Sequence, residues 1–371
     1  MARKIALSLM ILLTMCGISN ADLVYMTSSG HLGSIRINSS SDIESPSLHY
    51  TGNLSSPFLT TYWDGSSINV MMIDRNATAS GDRAYIFPTN NIAECVYSTD
   101  LEGIYGTECA SFSENGYSLF LGAEGNIYEV RSSSFYILNS FDCYGVISRD
   151  GYDTEVLSLA ADSSYIHALA SDGERQKYMR FDGQIRAGVD VFTSADLRPG
   201  ASCMLTDSSG WPVIGHSSGI DMLRSDMTLY DTISTDHPVR SICPDSSNSF
   251  FYSTQYRDGD NYVNTVMHSA MGTQFTPVTI ISSSPNFRLL RDNTHKETFA
   301  AMYDEGIRII SYVSGRTSSR EYSASSLGGT PAGVAAAAVS GYSPNSSSSG
   351  CDSVQAGMIL LAMIPLMLRR K

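Results

Sequence analysis

A β-hairpin with a glycine in its turn recurs seven times along this chain, and the repeat constrains the fold more than any other feature. Each unit has an apolar strand, a turn with Asp or Ser, a second strand, a glycine turn and an alternating third strand. The turn glycines lie 40 to 51 residues apart, at Gly30, Gly81, Gly125, Gly173, Gly219, Gly259 and Gly306. Since a four-stranded propeller blade takes about 40–50 residues, the repeat predicts an all-β, seven-bladed β-propeller.

A proline and an aspartate mark the first strand of several units. Proline lacks the N–H that a sheet ladder needs, so it starts a strand but does not continue a central one. An aspartate follows the proline by seven or eight residues and suits the next turn, because its side chain bonds its own backbone. The candidate turn carboxylates are Asp64, Asp162, Asp207, Asp245 and Asp292. We interpret them as structural; the alternative is a ring of carboxylates that binds cations at one face.

The two ends of the repeat region complete each other. Residues 23–37 match the second and third strands of a unit whose first strand is missing. Pro331 lies 46 residues after Pro285, one full period. We therefore predict that Val334 to Val339 supplies the inner strand of the first blade, which closes the ring and leaves no open edge. The alternative is that this Ala/Ser-rich segment is a linker.

Residues 1–21 have the layout of a signal peptide, and the predicted propeller spans residues 22–340. Two basic residues precede a short apolar run and small residues, so cleavage is expected between Ala21 and Asp22. Lipidation at Cys16 is the alternative. A Ser-rich spacer at 341–350 follows the propeller.

The last 21 residues carry a second targeting pattern, with an apolar run of about 15 residues that is short for a spanning helix of about 20. The pattern comprises Ser349, Gly350, Cys351, Asp352, Ala356, Gly357, Pro365 and the basic tail at 369–371. This segment, 351–371, resembles the cysteine-containing bacterial C-terminal sorting signals of the Synerg-CTERM type. The resemblance implies cleavage near Gly350 and Cys351 by a membrane-embedded protease, followed by transfer to the cell surface. A plain tail anchor is the alternative.

Charge and cysteine content limit the classes of partner. Processing at both ends removes five of the 24 basic and one of the 37 acidic residues, which leaves a net charge of −17. Such an acidic product disfavours nucleic acid as a partner. Five cysteines remain, and an exported protein can form disulfides from them. They are Cys95, Cys109, Cys143, Cys203 and Cys243, with Cys95–Cys109 as the first pair to test.

One motif matches a hydrolase signature. Gly215 to Gly219 fits Gly-x-Ser-x-Gly, which would make Ser217 a nucleophile. That chemistry needs a strand, a sharp turn and a helix. An alternating run follows here instead, so we interpret the motif as a hairpin turn. No catalytic, cofactor-binding or metal-binding residue is assigned from the sequence.

Aromatic residues flank the first turn of several units and fit either a ligand platform or packing between blades. They are Tyr62, Trp63, Tyr117, Tyr165, Trp211, Phe250, Phe251 and Tyr252.

The function expected from the sequence is a monomeric, surface-displayed binding or scaffold propeller without catalytic activity. Its contact surface would be the mouth of the central channel and the blade loops, and its ligand an extracellular protein or glycan. The alternative is a surface hydrolase or lyase that acts on glycans or peptides. Two carboxylates about 5–10 Å apart at the channel mouth would favour that alternative.

Overall fold

The computed structural model describes 14 segments of the chain, and its strands form seven four-stranded antiparallel sheets. The described residues are 23–35, 47–51, 57–63, 68–89, 92–112, 117–147, 153–161, 164–182, 193–207, 210–245, 249–270, 275–291, 298–313 and 316–336. The predicted signal peptide (1–21), Asp22, the spacer (341–350) and the sorting segment (351–371) lie outside them.

The first four sheets, blades 1 to 4, follow the chain in order. Blade 1 contains β1 (Leu23–Thr27), β2 (His31–Ile35) and β3 (Ser47–Thr51). Blade 2 contains β4 (Pro57–Trp63), β5 (Ile68–Thr78), β6 (Gly81–Pro88) and β7 (Tyr97–Glu102). Blade 3 contains β8 (Thr107–Phe112), β9 (Ser118–Ala123), β10 (Asn126–Arg131) and β11 (Ile137–Asp142), followed by the short helix α1 (Tyr144–Ile147). Blade 4 contains β12 (Glu155–Ala161), β13 (Tyr165–Ser171), β14 (Gln176–Asp182) and β15 (Thr193–Asp196).

The remaining strands complete blades 5 to 7 and return to blade 1. Blade 5 contains β16 (Cys203–Thr206), β17 (Pro212–His216), β18 (Gly219–Leu223) and β19 (Leu229–Ser234). Blade 6 contains β20 (Val239–Pro244), β21 (Phe250–Asp258), β22 (Asn261–His268) and β23 (Val278–Ser282). Blade 7 contains β24 (Phe287–Arg291), β25 (Thr298–Tyr303), β26 (Gly306–Val313) and β27 (Arg316–Ser323), followed by α2 (Ala324–Leu327). The last strand, β28 (Pro331–Ala336), joins β1.

The first strands of the blades form a closed inner ring. Each contacts the first strand of the next blade, in the order β28, β4, β8, β12, β16, β20, β24 and back to β28. This arrangement confirms the seven-bladed β-propeller, with the inner ring surrounding a central channel.

The boundary of the closing strand differs from the sequence prediction. β28 pairs with β1 from Leu23 opposite Ala336 to Thr27 opposite Pro331. Closure by the two ends is therefore confirmed, but the strand starts three residues before Val334, because a proline can open a strand. Residues 337–339 of the predicted strand lie outside the described part of the chain.

Side chains of neighbouring blades interlock to form the core. In β1, Leu23 and Tyr25 pack on blade 7, whereas Val24 and Met26 pack on blade 2. All five residues of β1 are buried. A strand covered on both faces reads as a continuous apolar run, which explains why the sequence LVYMT does not alternate.

Two faces of the ring differ in what they display. The turns between second and third strands, where all seven repeat glycines lie, share one side with the links between blades; we call this side the hairpin face. The opposite side carries the turns between first and second strands and between third and fourth strands; we call it the loop face.

The link between blades 2 and 3 is held by a buried carboxylate on the hairpin face. Asp82 is fully buried, and its Oδ1 accepts hydrogen bonds from Asn76 N at 2.8 Å and Gly106 N at 2.9 Å. Its Oδ2 accepts from Thr107 N at 2.8 Å and Thr107 Oγ1 at 2.7 Å. Four bonds to one carboxylate fix the start of β8 against the glycine turn of blade 2.

Candidate functional site

Two of the five candidate turn carboxylates lie in described segments. Asp207 Oδ1 accepts a hydrogen bond from Trp211 N at 2.9 Å, and the backbone N–H of Asp207 donates to Trp211 O at 2.9 Å. The backbone N–H of Asp245 donates to Ser249 O at 3.0 Å. Both carboxylates therefore close the turn after a first strand. The other three, Asp64, Asp162 and Asp292, lie outside the described residues.

Asp245 also contacts a histidine of the third strand. His268 Nε2 lies 2.9 Å from Asp245 Oδ2, and Ser249 Oγ donates to the same oxygen at 3.0 Å. His268 Nδ1 accepts from Ala270 N at 3.2 Å. Both ring nitrogens thus have partners within blade 6, which ties the turn of its first strand to the end of its third.

The Gly-x-Ser-x-Gly match forms the hairpin between β17 and β18, with His216 opposite Gly219. Ser217 Oγ donates to Pro199 O at 2.7 Å, in the link that precedes blade 5. A strand follows the turn, so the strand–turn–helix geometry of a nucleophile elbow does not form here.

His216 lies beside the ion pair between Asp221 and the half-exposed Arg198. Its Nε2 is 3.5 Å from Asp221 Oδ2, which also lies 3.2 Å from Arg198 Nε. Burial lowers the pKa of His216, and the negative charge of Asp221 opposes that decrease. His216 Nδ1 lies 3.2 Å from both the N and the Oγ of Ser218. The imidazole caps its own turn, and a neutral ring suits that role because Nδ1 then accepts the backbone N–H.

The five internal cysteines are all free thiols, so the Cys95–Cys109 disulfide considered from the sequence is not formed. Cys109 Sγ donates to Val156 O at 3.2 Å in the neighbouring inner strand. Burial raises the pKa of Cys109 to about 12 and that of Cys203 to about 12. These two thiols pack between inner strands as small apolar groups.

Charged side chains converge where the inner strands begin. Glu108 in β8, Glu155 in β12, Arg240 in β20 and Arg288 in β24 are all exposed. Each lies within the first two residues of a first strand, which starts on the hairpin face. We call this group, together with Arg75, the channel mouth. Arg75 belongs to the same end because its neighbour Asp74 pairs with Pro57 at the start of β4.

Charged residues from different blades shift the pKa values of Glu108 and Arg288 at the channel mouth. Burial raises the pKa of Glu108, the negative charge of Glu155 raises it further, and the positive charge of Arg75 opposes the increase. Burial lowers the pKa of Arg288, and the positive charge of Arg75 adds to the decrease. Arg288 thus keeps access to solvent while the protein around it partly desolvates its guanidinium group. Blades 2, 3, 4 and 7 therefore bring charges of both signs to one opening.

The aromatic residues considered as a platform divide into two groups. Phe250, Phe251 and Tyr252 are buried, and Phe251 stacks on Phe299 of blade 7 at 4.3 Å between ring centroids. These three serve packing. Tyr117, by contrast, is 51% exposed on the loop face. The side chains of Tyr62 and Trp63 lie outside the described part of the chain.

In the segments that the structure describes, no group of three or more His, Cys, Asp or Glu side chains is arranged to hold a metal ion. Within the same segments, no helix is both long and apolar enough to cross a membrane.

Comparison with solved structures agrees with the propeller architecture. The chain is similar to the WD40 domain of Toxoplasma gondii coronin, with a TM-score of 0.53 and 9% identity over 82% of this chain and 76% of that one. It is also similar to dihydro-heme d1 dehydrogenase NirN in complex with DHE, with a TM-score of 0.49 and 9% identity over 88% of this chain and 75% of that one. No family model and no curated protein matches the chain. At 9% identity, the similarity to the coronin WD40 domain supports the fold and nothing more specific.

The channel mouth was expected as a contact surface, but its charged residues were not identified from the sequence. Arg240 follows Pro238 by two residues and Arg288 follows Pro285 by three, so a charge just after the strand-opening proline was the available signal. Glu108 and Glu155 have no such proline before them. Their convergence depends on the closure of the ring, which no local pattern encodes.

Proposed function

We propose that this chain is an exported, surface-displayed propeller that binds a ligand at its channel mouth without transforming it. The charged opening formed by Arg75, Glu108, Glu155, Arg240 and Arg288 carries the proposal. Fixed guanidinium groups recognise carboxylate or phosphate through paired hydrogen bonds, and desolvation strengthens such contacts. The ligand is an extracellular protein or glycan that presents an anionic group.

The position of β28 supports one orientation for a displayed propeller. β28 runs from Pro331 on the hairpin face to Ala336 on the loop face. A chain held through the proposed sorting segment at 351–371 would then present its hairpin face, and with it the channel mouth, away from the envelope.

Capture of extracellular components tests the binding proposal. The full chain, purified in mild detergent, is compared with Arg75→Gln/Arg288→Gln and with Arg316→Gln, an exposed arginine on the outer strand of blade 7. We expect wild type and Arg316→Gln to retain the same component and the double variant to retain at least about tenfold less, since charge-assisted bonds contribute about 1.5–3 kcal/mol each. Equal retention by all three proteins would contradict binding at the mouth.

One observation favours the enzymatic alternative. The pKa of Glu108 is raised by burial and by Glu155, and a carboxyl group with a raised pKa can act as a general acid beside a second carboxylate. A hydrolase or lyase that acts on glycans or peptides would use this pair. Glu108→Gln separates the two functions: an enzyme would keep its substrate affinity and lose about 10²–10⁴-fold in kcat. A binding protein would release no product in either form.

Mass spectrometry of the mature protein tests processing and display. We expect the N-terminus at Asp22 and a C-terminus near Gly350 or Cys351, after removal of the basic tail by a membrane-embedded protease. A protein that keeps Arg369–Lys371 would contradict sorting cleavage.

A further inference from the structure

The loop face of two blades carries the same combination of side chains, which we call the aromatic–arginine module. In blade 3 it consists of Tyr117, Arg131 and Tyr136, and in blade 5 of Trp211, Arg224 and Tyr230. In both, one aromatic residue immediately precedes the second strand, the arginine ends the third strand or directly follows it, and the other aromatic residue lies at the start of the fourth strand.

The module of blade 3 is rigid and open to solvent. Arg131 Cζ lies 5.5 Å from the centre of the Tyr117 ring, and Arg131 Nη2 donates to Tyr117 Oη at 3.0 Å. The backbone N–H of Arg131 donates to Tyr136 O at 2.9 Å, and that of Ser132 to Tyr117 O at 3.0 Å. Tyr117 is 51% and Tyr136 70% exposed. Backbone bonds thus hold two tyrosines at the surface, with a guanidinium beside them.

The module of blade 5 has the same residue types at the corresponding strand positions, but its arginine lies over the fourth-strand ring and not over the ring before the second strand. The Trp211 and Tyr230 rings meet edge to face at 5.6 Å, and Arg224 Cζ lies 5.2 Å from the centre of the Tyr230 ring. Tyr230 is 56% exposed. In blade 4, between them, Arg180 lies 4.5 Å from the Tyr165 ring but is only 5% exposed. Blade 4 therefore packs its arginine against its tyrosine with the arginine buried. Packing of this kind does not explain why Tyr117, Tyr136 and Tyr230 are exposed in blades 3 and 5.

Aromatic rings and guanidinium groups together match one class of ligand. Sugar rings lay their C–H faces on exposed aromatic side chains, and guanidinium groups donate paired hydrogen bonds to carboxylates. We propose that the loop face of blades 3 and 5 binds an acidic polysaccharide, a polymer of carboxylate-bearing sugars. Two modules on one ring engage separate sugars of the same chain, so the polymer binds more tightly than its monomer.

The end of β28 indicates where this polymer lies. Ala336 lies at the loop face, and 14 residues separate it from Cys351. Even fully extended, 14 residues reach at most about 50 Å. This inference rests on the proposed surface display, since a propeller tethered within that length keeps its loop face toward the envelope.

Binding to defined polymers tests the inference. The full chain, purified in mild detergent, is titrated with polygalacturonate, with galacturonate monomer and with neutral dextran of the same length. We expect polygalacturonate to bind, with a Kd at least about 10²-fold below that of the monomer. Tyr117→Ala/Tyr230→Ala removes that gain, and Arg131→Gln/Arg224→Gln weakens polymer binding at low salt most strongly. Tyr144→Ala, which removes a 40% exposed tyrosine on the hairpin face of blade 3, leaves binding unchanged.

Three outcomes would overturn the inference: no binding of polygalacturonate by wild type, equal binding of dextran, or unchanged binding by the Tyr117→Ala/Tyr230→Ala variant with an unchanged Tm. The proposed function fails separately. A protein that binds polygalacturonate but keeps its basic tail would overturn sorting alone, and a displayed protein that binds no polymer would overturn only the loop-face inference.

Discussion

Tyr25 lies opposite Val334 in the antiparallel pairing that joins the two ends of the propeller. Tyr25 is 1% exposed and packs with Ile307 and Ile309 of blade 7, so one residue near the start of the fold connects the closing strand to the last blade. Blade 1 is thus assembled from both ends of the propeller, and its stability depends on the last of the described strands.

Removal of the closing strand should unfold the ring. Deletion of residues 331–336 exposes the edge of β1 and the apolar side chains behind it, so we expect loss of cooperative thermal unfolding. Circular dichroism melting measures this, with a deletion of the same length at 342–347 as the control. A closing-strand deletion that melts like wild type would contradict closure.

Gly219→Ala should destabilise blade 5. A Cβ at this position would lie 2.1 Å from Ile233 O, and the backbone has a φ of 153°. We expect a loss of about 1–3 kcal/mol in the free energy of unfolding, from denaturant titration. Gly145→Ala is the control, because a Cβ there meets nothing within 4 Å. Equal stability of the two variants would show that the turn does not need glycine.

Asp82→Ala should weaken the joint between blades 2 and 3. The substitution leaves the backbone N–H groups of Gly106 and Thr107 without their acceptor. Each unsatisfied buried donor costs about 1–3 kcal/mol, so we expect at least about 3 kcal/mol of lost stability. Asp258→Ala removes an exposed aspartate at another hairpin and should change stability by less than about 0.5 kcal/mol.

The inner-strand thiols should resist alkylation. With the pKa of Cys109 and of Cys203 raised to about 12, the thiolate fraction at pH 8 is about 10⁻⁴. Folding favours the neutral thiol, so this contribution to stability is complete below about pH 9 and is lost as pH rises toward 12. Mass spectrometry after iodoacetamide treatment should show both positions labelled at least about 100-fold more slowly in the folded protein than in urea. Equal rates would contradict their burial.

The sequence predicted those parts of the fold that depend on local backbone chemistry. Gly219 is required where a neighbouring carbonyl approaches its α-carbon, and Pro331 opens a strand. Because each blade repeats these backbone requirements, glycines and prolines recur at a regular spacing in the sequence. The fourth strand of each blade was missed. In β27, most side chains are exposed and polar, and an outer edge strand needs no apolar alternation.

The candidate sites were less predictable because they depend on long-range closure. Arg75 and Arg288 are 213 residues apart in sequence. The positive charge of Arg75 lowers the pKa of Arg288 because their blades, 2 and 7, flank the same blade. The sequence pattern indicated two residues of the aromatic–arginine module, Tyr117 and Trp211, because both lie beside a first turn. It did not indicate Arg131 and Arg224, because a cation at the end of a strand resembles any solvated charge.

Site-directed photo-crosslinking on intact cells tests binding at the channel mouth most directly. A photoreactive residue replaces Arg240 at the mouth or, as the control, Ser319 on the exposed outer strand of blade 7. We predict that position 240 crosslinks to one defined extracellular component, that position 319 does not, and that Arg75→Gln/Arg288→Gln abolishes the product. The same products from both positions, or a product at 240 that survives loss of both arginines, would contradict a ligand site at the mouth.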